Sequence, residues 1–574
     1  MPSSPSADDL QDHPTFEKKY LWGIFRFHLR ISPVNRQPEV LRRKLCIGRL
    51  LTIMVIVGLI AWASIGTALF GWYRIVRGHS WISYVDALVL PFKIENYRSK
   101  IGHSMIERGI LLTEQGQYEK GFFHLRVGLK RNPQHLEGRS LLADYFMHAL
   151  NDPIGAIDVL RKGIDGALQD TSDFRTRYLF QIFDLLETHQ NDQEIFRIAD
   201  LAFHSLTPSM LKQDVGFFAV RSLRSLGKFE AARAYLIENG LVTSPRGAFT
   251  LATIYQAEGR EDQAFEILQN AILAFPEDSL LFDAYVLNLA ERGQWRQVLF
   301  ETNLRLSDFP SSRTPSLHRA KALHHLDRRL DRDQEINELL SRFPAEEILP
   351  DLALLASNLK DPELALSVLE RAQVEGIDLS LYETALLETY LMTMDLPGIQ
   401  ASLNRLLPDL GGVESTPYLR GAVGLALVVS RSDVEAESFF RSFFEHPDAQ
   451  VLEFRRLGHL AKQASQVHIS RDIYLSGLTR FGNRNELIEG LLEIAIDQRQ
   501  GEEVLRLLNL DPQGRLPARE YLSQAFKLLS KDRFLFLAHR DEALAKFHDI
   551  LFPDGSALPE SAEWLVPLRL RNEL

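Results

Sequence analysis

Residue types able to do chemistry are present in this chain, but they are scattered. His324 and His325, with His318 upstream, form the densest histidine cluster. A metal site there would need a further ligand from a neighbouring element. Arg328 and Arg329 beside the cluster favour solvated histidines on a helix face instead. The carboxylate pairs Glu346–Glu347 and Glu502–Glu503 are sequence neighbours. On a helix such neighbours do not face each other, so they read as surface charge rather than as an acid and base sharing a substrate. The single cysteine, Cys46, leaves no material for an intramolecular disulfide, a zinc ribbon or a thiol-redox pair. No G-x-x-x-x-G-K-[ST], G-x-S-x-G, H-E-x-x-H or D-x-D-x-D-G pattern occurs. The sequence therefore predicts no catalytic residue, no metal and no cofactor, and a protein that is not an enzyme.

The elements that would position any binding site begin with an apolar run. Leu50 to Tyr73 is 24 residues without a charge, and about 20 such residues already cross the hydrocarbon core as a helix. Trp72 and Tyr73 stand at its far end, where aromatic rings favour the membrane interface. A cleaved signal peptide has a shorter apolar region close behind a basic start; here 49 residues precede the run. The run is read as a single transmembrane helix. Arg36, Arg42, Arg43, Lys44 and Arg49 precede it, against Arg74 and Arg77 after it, which puts the N-terminus on the cytoplasmic side. Residues 1–49 form a cytoplasmic tail. Within it the basic and aromatic stretch 18–30, KKYLWGIFRFHLR, predicts a short interfacial helix on anionic lipid. Residues 74–100 connect the span to the rest, with 80–98 lying along the membrane.

The 574 residues exceed what one compact core holds, so several domains or repeats are expected. The charge is uneven. Residues 1–49 hold nine Lys/Arg against five Asp/Glu, and the remainder holds 56 against 71. An acidic body argues against nucleic-acid binding, which needs a basic footprint.

From about residue 100 one template of about 34 residues recurs. In 246–278 its markers are Ala252, Tyr255, Gly259, Ala264, Leu268, Ala271 and Pro276, and in 107–134 they are Gly109, Leu112, Gly116, Gly121, Leu125, Gly128 and Pro133, with the same separations. Small residues let two antiparallel helices cross closely, Gly259 allows the turn between them, and Pro276 ends the second helix. Further copies fall at 213–245, 279–311, 313–345, 346–378, 417–449 and 451–483, weaker ones at 137–171, 176–209, 380–411 and 484–514, and a degenerate last pair at 518–551. The copies at 176–209 and 380–411 lack markers and predict local irregularity. GGVESTP (411–417) is the candidate hinge, and the Pro-rich tail from 552 to 574 reads as irregular.

This pattern resembles the tetratricopeptide-repeat (TPR) family. The resemblance implies an all-α chain, one transmembrane helix followed by a right-handed helical-hairpin solenoid of 12 to 13 repeats over 101–551. TPR arrays hold peptides or partner helices on a concave face made by the first helix of each repeat. Counting repeat positions from Ala252, the resemblance turns Arg221, Arg224, Thr253, Gln256, Lys321 and His324 inward, flanked by Phe217, Phe249 and His318. Such a basic, partly aromatic lining would suit an acidic or C-terminal carboxylate partner. The plainer reading is that these side chains pair with acids on adjacent repeats. The expected role is a membrane-anchored scaffold in an envelope assembly (secretion, pilus or polysaccharide export), its solenoid in the periplasm of a bacterial inner membrane. Three readings stand beside it. One is a recruiter of cytoplasmic enzymes. Another is a lumenal adaptor of the endoplasmic reticulum, because the last residues RNEL resemble the K-D-E-L signal. The third is an RNA-binding helical array of similar period. The sequence identifies neither the partner nor an oligomeric state.

Overall fold

The computed structural model describes residues 17–22, 25–31, 38–45, 47–76, 83–89, 94–409, 416–510 and 515–552. Residues 1–16, the main part of the candidate hinge (411–415) and the tail beyond Phe552 lie outside them. The chain divides into two compact units, Met1–Gly166 and Ala167–Leu574.

Unit 1 opens with strands. β1 (Glu17–Trp22), β2 (Phe25–Ile31) and β3 (Pro38–Leu45) pair antiparallel in that order, with Glu17 opposite Arg30 and Phe25 opposite Leu45. This corrects the interfacial helix expected at 18–30, and among the described residues it confines the all-α reading to those from Ile47 onward. Aromatic and branched residues such as Tyr20, Trp22, Phe25, Phe27 and Ile31 favour strands, and the paired ladder satisfies backbone groups that an isolated short helix leaves open.

Helix α1 (Ile47–Gly71) contains all but the last two residues of the apolar run and passes into a π-helical turn at Trp72–Val76. The short α2 (Tyr84–Val89) packs on it. The Tyr84 hydroxyl lies 3.1 Å from Thr67 Oγ1, its ring meets Phe70 edge-on at 5.9 Å, and Leu88 fills the space left by Gly66. The hairpins then start at α3 (Ile94–Glu114), inside the expected connector, and α3 pairs with α4 (Tyr118–Arg131). Their crossing needs glycine, since a methyl group on Gly128 would sit 2.7 Å from Ile106 Cγ1. The second pair is α5 (Leu136–Asp144), prolonged by a π-helical turn to Ala149, and α6 (Pro153–Arg161). The short α7 (Ile164–Gln169) follows.

Unit 2 is a row of helical hairpins: α8 (Phe174–Thr188) with α9 (Asp192–Ser205), α10 (Met210–Ser225) with α11 (Phe229–Glu238), α12 (Pro245–Ala257) with α13 (Glu261–Ala274), and α14 (Ser279–Glu291) with α15 (Trp295–Asp308). Next come α16 (Arg313–His325) with α17 (Arg329–Arg342), α18 (Ala345–Leu359) with α19 (Pro362–Glu375), α20 (Ser380–Thr393) with α21 (Leu396–Asp409), and α22 (Pro417–Val429) with α23 (Asp433–Glu445). The row ends with α24 (Val451–Gln463) and α25 (Val467–Phe481), α26 (Asn485–Asp497) and α27 (Gly501–Leu508), and α28 (Arg519–Leu529) and α29 (Arg540–Leu551). Within the stretches expected to be irregular, α8 with α9 and α20 with α21 form helical hairpins like their neighbours.

One turn geometry recurs between the two helices of a hairpin. Gly259 is left-handed (φ 75°), and after it Gly293, Asp327, Lys360 and Met394 hold the same place with φ between 52° and 70°. Around Gly259 the chain closes helix α12 with paired bonds: Gly259 N–H donates to Gln256 O at 2.9 Å and Arg260 N–H to Tyr255 O at 2.8 Å. Helix starts are fixed by side-chain caps. Ser244 Oγ accepts from Gly247 N–H at 3.1 Å ahead of Pro245, and Asp361 Oδ1 accepts from Leu364 N–H at 3.0 Å ahead of Pro362. The small markers of the template are the crossing points. Ala252, Ala264 and Ala271 are buried beside Leu268, and Val298 is buried where its copy departs from a small residue.

Candidate functional site

On the first helices of consecutive hairpins, α10 and α12, side chains enclose a cavity of about 540 Å³ with Asp278 and Leu280 at its edge. Phe217, Arg221 and Arg224 line it from α10, and Phe249 and Thr253 from α12. The sequence-predicted residues Phe217, Phe249, Arg221 and Arg224 thus share one site. The 3.6-residue helical period puts Phe217, Arg221 and Arg224 on one face of α10.

The cations in this cavity are already engaged to different degrees. Arg221 pairs with Glu187 of the preceding hairpin and stacks over the Phe218 ring at 4.8 Å. Arg224 Nη1 donates to the Thr253 hydroxyl at 2.9 Å. Burial, followed by the nearby Arg221 and Arg515, pushes the Arg224 guanidinium below its ordinary pKa. Arginine stays charged throughout the accessible range. Arg246, which sequence reasoning missed, lies over the Phe217 ring at 4.3 Å and bonds Asp214 at 2.5 Å. It stands at the entry of α12, where the repeat count assigns no inward position, so only the packing reveals it.

The other candidates do not join this cavity. Gln256 is half-buried on α12 outside the lining. His318, Lys321 and His324 lie on α16. His318 Nε2 is 3.5 Å from Asp283 Oδ1 on the hairpin before. His324 Nδ1 is 3.0 Å from Arg332 Nη1 and 4.0 Å from Asp361. Burial, then the Arg332 cation, pushes the His324 pKa down. His325 stacks on Trp295 with ring centres 3.8 Å apart. Arg221 and His318 each face an acid of the preceding hairpin, whereas His324 lies nearest to Arg332 of its own hairpin. Among the described residues no group of three His, Cys, Asp or Glu side chains is placed to hold a metal ion.

What the arrangement offers is recognition. An entering carboxylate would find Arg224 bonded to a neutral hydroxyl, Arg221 exchangeable from Glu187, and three phenylalanine rings for apolar contact. Guanidinium groups bind carboxylates by paired, charge-assisted hydrogen bonds.

Antiparallel hairpins repeating at about 34 residues, with small residues at the crossings, make this a TPR-like helical-repeat fold. No protein-family model and no curated protein sequence matches the chain. Among solved structures, the "Crystal structure of APC/C hetero-tetramer Cut9-Hcn1" aligns over 79% of this chain and 96% of that one, at 12% identity and a TM-score of 0.25. So loose a superposition bears on neither fold nor function; the hairpins themselves define the class.

Proposed function

We propose that this chain is a membrane-anchored scaffold that holds an acidic segment of a partner protein on the inner helices of its hairpin array. The observation that carries the reading is the convergence of Arg221 and Arg224 with Phe217 and Phe249 on one cavity. The anchor is helix α1. Its segment Leu50–Gly71 has a mean hydropathy of 2.3 with 6% of it buried, which makes it long and apolar enough to cross a membrane. The setting we propose is a bacterial inner membrane, N-terminus inside, with the array serving an envelope assembly for secretion, pili or polysaccharide export.

Reversing the groove charges tests the binding site. Losing a desolvated charged partner at an interface costs about 2–5 kcal/mol, which is more than about tenfold in affinity. Arg221→Glu/Arg224→Glu is therefore expected to retain wild-type helicity and to lose its acidic partner in pull-downs from native membranes read by mass spectrometry. A folded variant that keeps every wild-type partner would rule this groove out. Adding Lys321→Glu is expected to change little further, because Lys321 lies outside the cavity lining.

Orientation separates the envelope scaffold from a recruiter of cytoplasmic enzymes. Alkaline phosphatase fused after residue 100 in a bacterial host is expected to be active. An inactive fusion, with an active cytoplasmic reporter at the same point, would favour the recruiter.

A further inference from the structure

The beginning and end of unit 2 meet. Gln190, in the turn between α8 and α9, donates Nε2–H to Glu486 Oε2 at 3.1 Å and accepts from Asn485 N–H at 3.4 Å, across 296 and 295 residues of sequence. The chain before α28 lies across the same seam. Leu516 N–H donates to Ser225 O at 3.3 Å, Arg515 Nη2–H donates to Ser225 Oγ at 3.4 Å, and Arg515 Nε is 3.3 Å from the buried carboxylate of Asp192. Two turn glycines leave room for it. A methyl group on Gly227 would sit 2.3 Å from Leu516 Cδ1, and one on Gly259 would sit 2.5 Å from Arg519 Nε. On the other side the segment is tied to the last helices. Ala518 N–H donates to Glu489 Oε1 at 2.8 Å, Asn485 Nδ2–H to Leu516 O at 3.3 Å, and Arg519 Nη2–H to Leu551 O at 2.5 Å.

The chemistry of this seam differs from the hairpin-to-hairpin contacts around it. Successive hairpins bury leucine, alanine and aromatic side chains, as at Leu387, Leu419, Phe443, Phe454 and Leu491. The bonds between 190–225 and 485–516 are polar, and most are near the long limit of hydrogen-bond geometry. Polar contacts of this kind exchange with water at small net gain, unlike buried apolar surface. The seam thus rests on a few polar contacts, one ion pair and the Leu516 side chain, against the continuous apolar burial between successive hairpins.

We propose that residues 515–519 are a latch that closes unit 2 on itself, and that releasing it parts the two ends of the array. The latch borders the groove. The seam holds a cavity of about 330 Å³ lined by Arg224, Ser225, Asn485, Glu486 and Leu516 among others, and Arg224 lines the groove cavity as well. Arg224 and Arg515 both line that cavity, so two like charges share one space. An acidic partner on Arg224 offsets this repulsion and favours the closed state, and closure in turn tightens its binding. This coupling rests on the groove reading above; the latch does not.

The test is a distance measurement on the full chain in detergent. Spin labels replace the exposed Lys228 and Glu520 in a Cys46→Ser background, and electron–electron double resonance reads the distance across the seam. The wild-type chain is expected to give one narrow, short population. Arg515→Ala/Leu516→Gly is expected to keep its helicity and to gain a longer population. Should that variant lose helicity, Arg515→Ala/Asp192→Asn gives the same reading, because it removes the ion pair across the seam without leaving a buried charge unpaired. A folded variant with the wild-type distribution overturns the latch, and so does a wild-type distribution as broad as the variant's. Neither result depends on whether the groove binds an acidic partner.

Discussion

Arg456→Ala is expected to loosen the hairpins around α20, α22 and α24 by about 3 kcal/mol, the lower end of the cost of breaking a buried ion pair. The reason is the company Glu388 keeps. Its carboxylate is only 5% exposed, accepts from Arg456 Nη2 at 2.6 Å, and is bonded by the Tyr418 hydroxyl. The Arg456 guanidinium also lies over the Tyr418 ring at 4.5 Å. Burial, and then the neighbouring carboxylate, raises the Tyr418 phenol well above its ordinary pKa, so it remains a donor at neutral pH. Removing Arg456 leaves an acid in the interior with one neutral partner. The lower end applies because the arginine side chain is itself 52% exposed and water already carries part of its charge. In an array of repeats the loss is local. Amide hydrogen exchange in α20, α22 and α24 is expected to quicken by about a hundredfold while α10 and α12 are unchanged. Replacing the whole set, Glu388→Leu/Arg456→Leu/Tyr418→Phe, is expected to restore most of the protection, since apolar residues of similar volume carry no desolvation cost. Unchanged exchange in Arg456→Ala would show that the pair contributes nothing.

The second large effect is expected from Gly490→Val. Tyr474 of α25 is 2% exposed, and its ring lies between two glycines on successive first helices. A methyl group on Gly490 would sit 2.3 Å from the ring's Cζ, and one on Gly458 would sit 2.5 Å from the same atom. The ring cannot retreat from one helix without striking the other. Overpacking costs about 1–3 kcal/mol, and the closed slot puts this site at about 3 kcal/mol. The gain from removing a helical glycine is about 1 kcal/mol at most, so the clash decides the sign. Thermal unfolding of the full chain, followed by circular dichroism, is expected to begin at a lower temperature. Adding Tyr474→Ala to Gly490→Val is expected to recover part of the loss by emptying the slot. If Gly490→Val melts like the wild type, the ring is not confined as described.

Much of this fold was legible in the chain because it is locally encoded. Apolar residues at the 3–4 period mark each helix face, small residues such as Ala252, Ala264 and Ala271 mark the crossings, and prolines at 276, 310 and 344 mark where second helices stop. Each of these signals acts within one or two turns of helix, so it survives without knowledge of the neighbours. Gly116, Gly227, Gly259 and Gly293 announced their turns for the same reason, since glycine takes a left-handed backbone at no steric cost. The same turn at Asp327, Lys360, Met394, Arg431, Ser465 and Arg499 was silent. There a residue without glycine's freedom is held left-handed by the two helices it joins.

The apolar length of α1 was likewise written in the sequence, whereas the strands at 17–45 were not. A basic and aromatic stretch suits a helix face or a strand equally, and pairing partners decide between them. The groove was half legible. Helical spacing alone brings Phe217, Arg221 and Arg224 to one face of α10. That Arg246 joins them, that Lys321 and His324 do not, and that Glu187 already holds Arg221 are outcomes of packing between hairpins. Furthest from the sequence is the meeting of Gln190 with Glu486. It follows from small rotations summed over successive hairpins of unit 2, and no local pattern sets their total.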